Sequence, residues 1–286
     1  MNYSALIGNP TDHSVSYVLY KELAKTADLP SFYQHIRVNV EPDELKQSLK
    51  AFNTLRFVGL NVTLPYKLDV ISYLDKLDTV VEDLGAVNTI KLGKANIGYN
   101  TDWMGIVESI KQFGDRQTYP SAVIFGTGGA ARAAVYACKQ LGVHDIHIVH
   151  RAATSANTQK LQESSSKLGV TLHPYSEVRK LVEQSQLIIN ATSAGMVGKE
   201  ALPFDTALLE GAPLEGKVFL DAVFNPLRTP LLEYFEANGA ITIDGLWMMI
   251  YQGVGALGIW FDRNLQINIH DLQKIHDLMQ KELQHV

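Results

Sequence analysis

Short apolar runs alternate with amphipathic helical patterns from one end of the chain to the other, the mark of an α/β protein built on parallel strands. Residues 3–7, 32–38 and 57–62 read as strands, with helical patterns at 16–27 and 41–52 between them and a third helix predicted to start near Pro65. A turn-rich stretch, 93–100, precedes a helix over 102–113. A second series then begins, with strands at 121–125, 146–149, 187–190, 218–221 and 241–243 and helices at 129–141 and 155–168. Two further helices, 246–260 and 270–283, add no strand to the second sheet and are expected to pack back on the first domain.

A chain of 286 residues exceeds the usual single-core size, so two domains are expected, with a boundary near Trp103. With 46% hydrophobic and 19% charged residues, and 21 Gly and 10 Pro spread along the chain, collagen-like and largely disordered readings are excluded. A formal charge of -5, without a long basic run, argues against nucleic acid as a partner. Cys138 is the only cysteine, so no intrachain disulfide can form. The start has no basic segment followed by a long apolar one, and the apolar stretch 246–260 is too short to span a bilayer and is interrupted by Gly253, Gly255 and Gly258. A cytoplasmic protein without membrane contact is expected.

Gly126-Thr127-Gly128-Gly129-Ala130-Ala131 follows a predicted strand and opens a predicted helix, which matches G-x-G-x-x-A in the context that gives the motif meaning. Gly126 permits the tight turn, Gly128 lets the backbone approach a pyrophosphate, and Ala131 is small enough for close helix–strand packing. A plain glycine-rich turn and an S-adenosylmethionine site remain alternatives. At the end of the next strand, where NAD enzymes commonly carry an acid for the ribose 2′-hydroxyl, stand His150 and Arg151. A guanidinium there can pair with a 2′-phosphate, so the sequence leans towards NADP, with NAD possible. Arg151 could equally be a solvated surface arginine.

Hydride transfer to a ketone needs a group that handles the proton at oxygen. In Asn61-Val62-Thr63-Leu64-Pro65-Tyr66-Lys67, Asn61 and Thr63 alternate onto one side at a strand end, and Lys67 follows. Asn100-Thr101-Asp102 is a natural helix start, yet an aspartate near a lysine can also hold its ammonium. Ser14 and Ser16, after His13, sit where hydroxyls and free N–H groups can grip a carboxylate or simply cap a helix. His144, His147 and His150 flank one strand, with His147 facing opposite to the other two, so no shared metal site is expected among them. Neither HExxH nor GxSxG occurs, and no metal is expected.

Together these segments resemble the shikimate dehydrogenase family in order over nearly the whole chain. The matching pieces are Gly8-Asn9-Pro10 with His13-Ser14-Val15-Ser16, Asn61-Val62-Thr63 with Lys67, Gly85-Ala86-Val87-Asn88-Thr89, Asn100-Thr101-Asp102, the Gly126 loop with Arg132, Asn190-Ala191-Thr192, and Asp244-Gly245 with Gln252. The resemblance implies two α/β domains with an active-site cleft between them. Residues 1–103 and 246–286 would form the substrate-binding catalytic domain, and 104–245 a Rossmann-type NADP-binding domain. It further implies reversible NADPH-dependent reduction of 3-dehydroshikimate to shikimate in chorismate and aromatic amino acid biosynthesis, by a monomer or homodimer acting on a small molecule. Lys67 and Asp102 would form the catalytic pair, Ser14 and Ser16 would hold the carboxylate, and Asn61, Thr63, Asn88 and Gln252 the ring or hydroxyls. Gly126, Gly128, Gly129, Ala130, Arg151 and Thr192 would meet the cofactor, and Gly245 its nicotinamide amide.

The chain also departs from the family pattern. Tyr17 replaces a proline, which is expected to reshape the pocket wall; Phe224 replaces a tyrosine, removing one hydrogen bond to substrate. The cofactor clamp reads His150-Arg151-Ala152 and then Ser155, with one arginine where two are common. A relative acting on quinate or another polyol acid, with NAD as an alternative cofactor, and a non-catalytic dinucleotide-binding protein are therefore the competing readings.

Overall fold

The structure is a computed structural model that describes residues 2–12, 14–29, 33–151 and 168–284, together with 159, 163 and 165. It comprises two compact units, Met1–Thr101 with Ile250–Val286, and Asp102–Met249.

In the first unit the chain runs β1 (Asn2–Gly8), α1 (Ser16–Thr26), β2 (Tyr33–Asn39), α2 (Leu45–Thr54), β3 (Gly59–Val62), β4 (Lys76–Leu77), α3 (Thr79–Leu84), β5 (Thr89–Lys91) and β6 (Ile97–Tyr99). The six strands lie in the order β2-β1-β3-β5-β6-β4. β1 is parallel to β2 and β3, but β5 is antiparallel to β3 and β6, so this sheet is mixed rather than wholly parallel as the pattern predicts. β5 and β6 are three residues each, too short to display alternation, which is why the second reads as part of a turn-rich stretch. No α-helix starts near Pro65. The carbonyl of Lys67 is taken by the Val87 N–H, and consecutive turns lead into a short 3-10 segment, Asp69–Tyr73.

Alternation along β1 sends Ala5 and Ile7 into a core shared with Leu60, Val62, Ile90 and the α2 residues Leu45, Leu49 and Phe52. Ser4 is bonded to its register partner His35, the Ser4 hydroxyl lying 2.7 Å from His35 Nδ1 and 2.6 Å from the Tyr33 hydroxyl. The His35 ring stacks on Tyr20 with centroids 4.2 Å apart, and burial pushes its pKa down to about 3.

The C-terminal segment returns to this unit. Trp260 donates to the Ile90 carbonyl at 3.0 Å, and a Cβ on Gly59 would fall 2.0 Å from the same indole nitrogen. Glycine at position 59 is the condition for that docking.

The second unit contains α4 (Asp102–Phe113), β7 (Ser121–Phe125), α5 (Gly129–Gln140), β8 (Asp145–His150), β9 (Thr171–Pro174), α6 (Val178–Gln184), β10 (Leu187–Asn190), β11 (Val218–Asp221), α7 (Pro230–Ala237) and β12 (Ile241–Ile243). α8 (Gly245–Phe261) begins here and runs on into residues of the first unit, to which α9 (Ile269–Leu283) also belongs. The sheet is parallel throughout, in the order β12-β11-β10-β7-β8-β9. Numbered in chain order and read from β9, this is 3-2-1-4-5-6, the Rossmann order, whose topological switch lies between β7 and β10.

Three elements here have no counterpart in the pattern reading, β9, the short α6 and α7. β9 is a half-polar edge strand without an apolar run, whereas α7 carried a readable start, with Thr229 accepting from the Leu232 N–H and Pro230 at its first position. The helix predicted over 155–168 lies mostly outside the described residues, as do Ala152 and Ser155. Among the described residues no helix is long and apolar enough to cross a membrane.

Candidate active site

In the first unit the predicted substrate residues lie around the end of β3, just before β5, at the start of α1 and, for Gln252, within α8. Ser14 and Ser16 are 5% and 4% exposed. Neither serine is the N-cap of α1, which is Val15: Ser14 Oγ accepts from the Ser16 N–H at 3.2 Å, while Ser16 Oγ is buried without a hydrogen-bond partner. The loop before them is pinned to β2. Arg37 donates through Nη1 to the carbonyls of Asp12 and Ser14, at 2.6 and 2.8 Å, and Asn39 Oδ1 accepts from Thr11 N–H and hydroxyl. Arg37 thus sets a positive charge beside the serines, a residue that no local motif marked.

Asn61 stands opposite Thr89 in the β3–β5 register and donates to Thr89 Oγ1 at 3.3 Å, leaving its buried Oδ1 without a partner. Asn88 Oδ1 collects the Thr101 N–H at 2.7 Å and the Thr89 hydroxyl at 2.9 Å. Gln252 Oε1 lies 3.3 Å from the Thr101 hydroxyl and 3.5 Å from Asn88 Nδ2. Asn61, Asn88 and Gln252 are therefore linked in one polar cluster, with Thr89 and Thr101 as its connectors. Thr63 follows β3, its N–H donating to the Ile7 carbonyl, and Lys67 is half-buried. Asp102 is buried at the first position of α4 and belongs to the other unit.

Tyr17 is turned to a different task from the one expected of it. Its hydroxyl donates to Glu282 on α9 at 2.7 Å, and the Arg37 guanidinium lies 4.9 Å from its ring centroid. The side chain ties α1 to the C-terminal helix.

In the second unit the glycine loop joins β7 to α5 at the switch point. Gly126 has φ +112, and a Cβ there would meet the Ala191 carbonyl oxygen at 2.9 Å, so both conformation and space require glycine. Gly128 caps α5 without any side-chain bond, and a Cβ on it would find nothing within 4 Å. Open space beside the N–H groups of Gly129 and Ala130 at a helix N-terminus suits a pyrophosphate.

Next to the loop, Asn190 Oδ1 accepts from Thr192 N–H and hydroxyl at 3.2 and 2.7 Å, and Asn190 Nδ2 donates to Asp221 at 2.9 Å. Asp221 also accepts from Thr229 and the Val223 N–H, and burial raises its pKa to about 6. A Cβ on Gly245 would lie 2.4 Å from the Val223 carbonyl oxygen, so the first turn of α8 can approach that backbone only with glycine. Arg151 is paired through Nη1 with Glu200 at 3.0 Å. The His150 ring nitrogen Nδ1 bonds the Arg151 carbonyl. Glu200 escaped the sequence reading because 49 positions separate it from its partner.

Residues 6–90 match the family model of the shikimate dehydrogenase substrate binding domain. A shikimate dehydrogenase (NADP(+)) of Natronomonas pharaonis is 37% identical over 262 residues, covering 91% of this chain and 93% of that protein. The chain belongs to the shikimate dehydrogenase family. Members of that family supply the solved folds it resembles: the Thermus thermophilus enzyme in complex with NADP(H) and shikimate has a TM-score of 0.82 at 28% identity, covering 96% of this chain and 98% of the other. Quinate dehydrogenase from Corynebacterium glutamicum in complex with NAD has a TM-score of 0.80 at 25% identity, over 96% and 98% of the two chains. Both resemblances extend over essentially the full two-domain α/β fold expected of the family.

Proposed function

We propose that this chain reduces 3-dehydroshikimate to shikimate reversibly with NADPH, on the route to chorismate and the aromatic amino acids. The observation that carries the reading is the pair of orphaned polar atoms, the Ser16 hydroxyl and Asn61 Oδ1, both buried in the unit that matches the family's substrate domain. A buried polar atom without a partner costs free energy, and a polyhydroxylated carboxylic acid offers the missing hydrogen bonds. Ser14 and Ser16 would bind the carboxylate beside Arg37, while Asn61, Thr63, Asn88 and Gln252 bind ring hydroxyls.

NADPH would supply the hydride when bound. Lys67 would hold and deliver the proton at the substrate oxygen, and Asp102 would support its ammonium; these roles rest on their matching family positions. The open N-terminus of α5 fits the pyrophosphate and Arg151 fits a 2′-phosphate. Residues 1–103 with 246–286 would be the substrate-binding catalytic domain and 104–245 the cofactor domain. The protein would work in the cytoplasm as a monomer or homodimer, which cell fractionation and sedimentation test.

A second reading, oxidation of quinate or a related polyol acid with NAD, is favoured by Glu200, which sets a carboxylate against the one clamp arginine. Purified protein assayed with shikimate and with quinate, each with NADP and NAD, separates the two by nicotinamide absorbance. Shikimate with NADP is expected to give the highest catalytic efficiency. No turnover of either acid would overturn the assignment.

A further inference from the structure

At the β8–β9 edge of the second sheet, on the strand that ends at His150, two histidines meet across neighbouring strands. His147 on β8 is in register with Thr171 on β9, and Val149 with His173. His147 Nδ1 lies 3.2 Å from His173 Nε2, and the Thr171 hydroxyl lies 2.9 Å from the first and 3.0 Å from the second. Each remaining ring nitrogen faces a carboxylate: His147 Nε2 is 3.1 Å from Asp145, and His173 Nδ1 is 3.1 Å from Glu177.

Counting protons shows what this arrangement lacks. A neutral imidazole carries one N–H, and an ionised carboxylate only accepts, so in the pair of tautomers that serves both Asp145 and Glu177 the ring hydrogens sit on the outer nitrogens. The two inner nitrogens then present lone pairs to one another, and the Thr171 hydroxyl can satisfy only one of them. Three donor atoms therefore converge with one hydrogen among them. A cation at that point resolves the conflict, and a carboxylate behind each histidine is the usual outer shell of a metal-bound imidazole.

We propose that His147 Nδ1, His173 Nε2 and Thr171 Oγ1 form one face of a site for a divalent transition metal ion of the zinc, nickel or cobalt class, completed by water. With metal–ligand bonds of roughly 2.0–2.1 Å, neighbouring ligands stand about 3.0 Å apart in an octahedron and about 3.4 Å apart in a tetrahedron. Edges of 2.9, 3.0 and 3.2 Å correspond to the octahedral face. The histidine side chains are 13% and 21% exposed, sheltered yet reachable by an aquo ion. Among the described residues no group of three or more His, Cys, Asp or Glu side chains is placed to hold a metal, so this site has two imidazoles and binds well short of structural-zinc affinity. Bound metal would clip the edge strand β9 to β8, just before the chain reaches His150 and Arg151.

The test is a titration of the metal-free, untagged full chain with Co2+ and Ni2+, followed by calorimetry and by the visible spectrum of cobalt. One equivalent should bind, the Tm should rise with metal, and His147→Gln and His173→Gln should each weaken binding at least about tenfold; Thr171→Val should weaken it less. His144→Gln, just before the same strand and outside the cluster, should bind as the parent does. Circular dichroism and cofactor affinity establish that the variants are folded. Absence of saturable binding in the parent, or binding unchanged in both histidine variants, overturns the proposal; a proton alone would then occupy the inner edge.

Discussion

Ser14, Ser16, Asn61 and Asn88 in the first unit are each 5% exposed or less, whereas Arg151 and Glu200 in the second are 71% and 66% exposed at the side chain. The two kinds of recognition are built at different dielectric cost. Hydrogen bonds made in a dry site carry the desolvation of every partner, so losing one leaves an unsatisfied group. Charges at the surface are screened by water and salt, and an exposed pair is worth about 0–1 kcal/mol. Substrate choice should therefore be rigid and cofactor choice adjustable by single substitutions.

Lys67→Ala gives the largest expected effect: turnover should drop on the order of 10² to 10⁴-fold with cofactor affinity nearly unchanged, as loss of a general acid–base predicts. Near-normal turnover in a folded variant would remove Lys67 from the chemistry. Stability should separate the units by sign. His35 stays neutral in the fold because its pKa is pushed from 6.5 to about 3, so its contribution is present above about 6.5 and is lost as pH falls towards 3. The full span of about 3.5 pH units corresponds to about 5 kcal/mol.

Asp221 behaves oppositely. Its carboxyl is raised from 3.8 to about 6, so its contribution is present below 3.8 and is lost as pH rises to about 6, a change of about 3 kcal/mol. Hydrogen exchange of each unit, corrected for intrinsic rates between pH 7 and 4.5, checks both: His35→Phe should reduce the acid loss in the first unit, and Asp221→Asn should flatten the acid gain in the second. Parallel responses of the two variants would break the contrast.

Ser14→Ala combined with Ser16→Ala should raise the Michaelis constant for shikimate at least about tenfold, since hydroxyl bonds to a charged group contribute roughly 1.5–3 kcal/mol. An unchanged constant would put the carboxylate elsewhere. The smallest effect belongs to the exposed pair. Glu200→Gln should increase the preference for NADP over NAD only a few-fold, by freeing Arg151 and removing a repelling carboxylate; Arg151→Ala should lower it. A change beyond about a hundredfold in either variant would mean that this pair is buried in the working enzyme.

Much of the proposed site could be nominated from sequence because the patterns that mark it are local. Asn61 and Thr63 alternate at a strand end, and Gly126 and Gly128 follow β7 at fixed spacing, so short-range geometry sufficed to nominate them. Arg37 and Glu200 were not readable, because each acts through a partner distant in sequence: Arg37 through the Asp12 and Ser14 carbonyls, Glu200 through Arg151. Tyr17 shows the converse. It is a departure within a motif, and its side chain is taken up by Glu282 near the other end of the chain.

The sequence by itself determined the alternation of strands and helices, the second βα series and its glycine loop, since periodicity and backbone freedom are properties of neighbouring residues. Only the tertiary structure decided that the first sheet is mixed, that Gly59 must make room for Trp260, and that His147 faces His173 rather than His144 or His150. Strand register brings together residues that no window along the chain contains, and the resulting burial sets which of their polar atoms lack a partner.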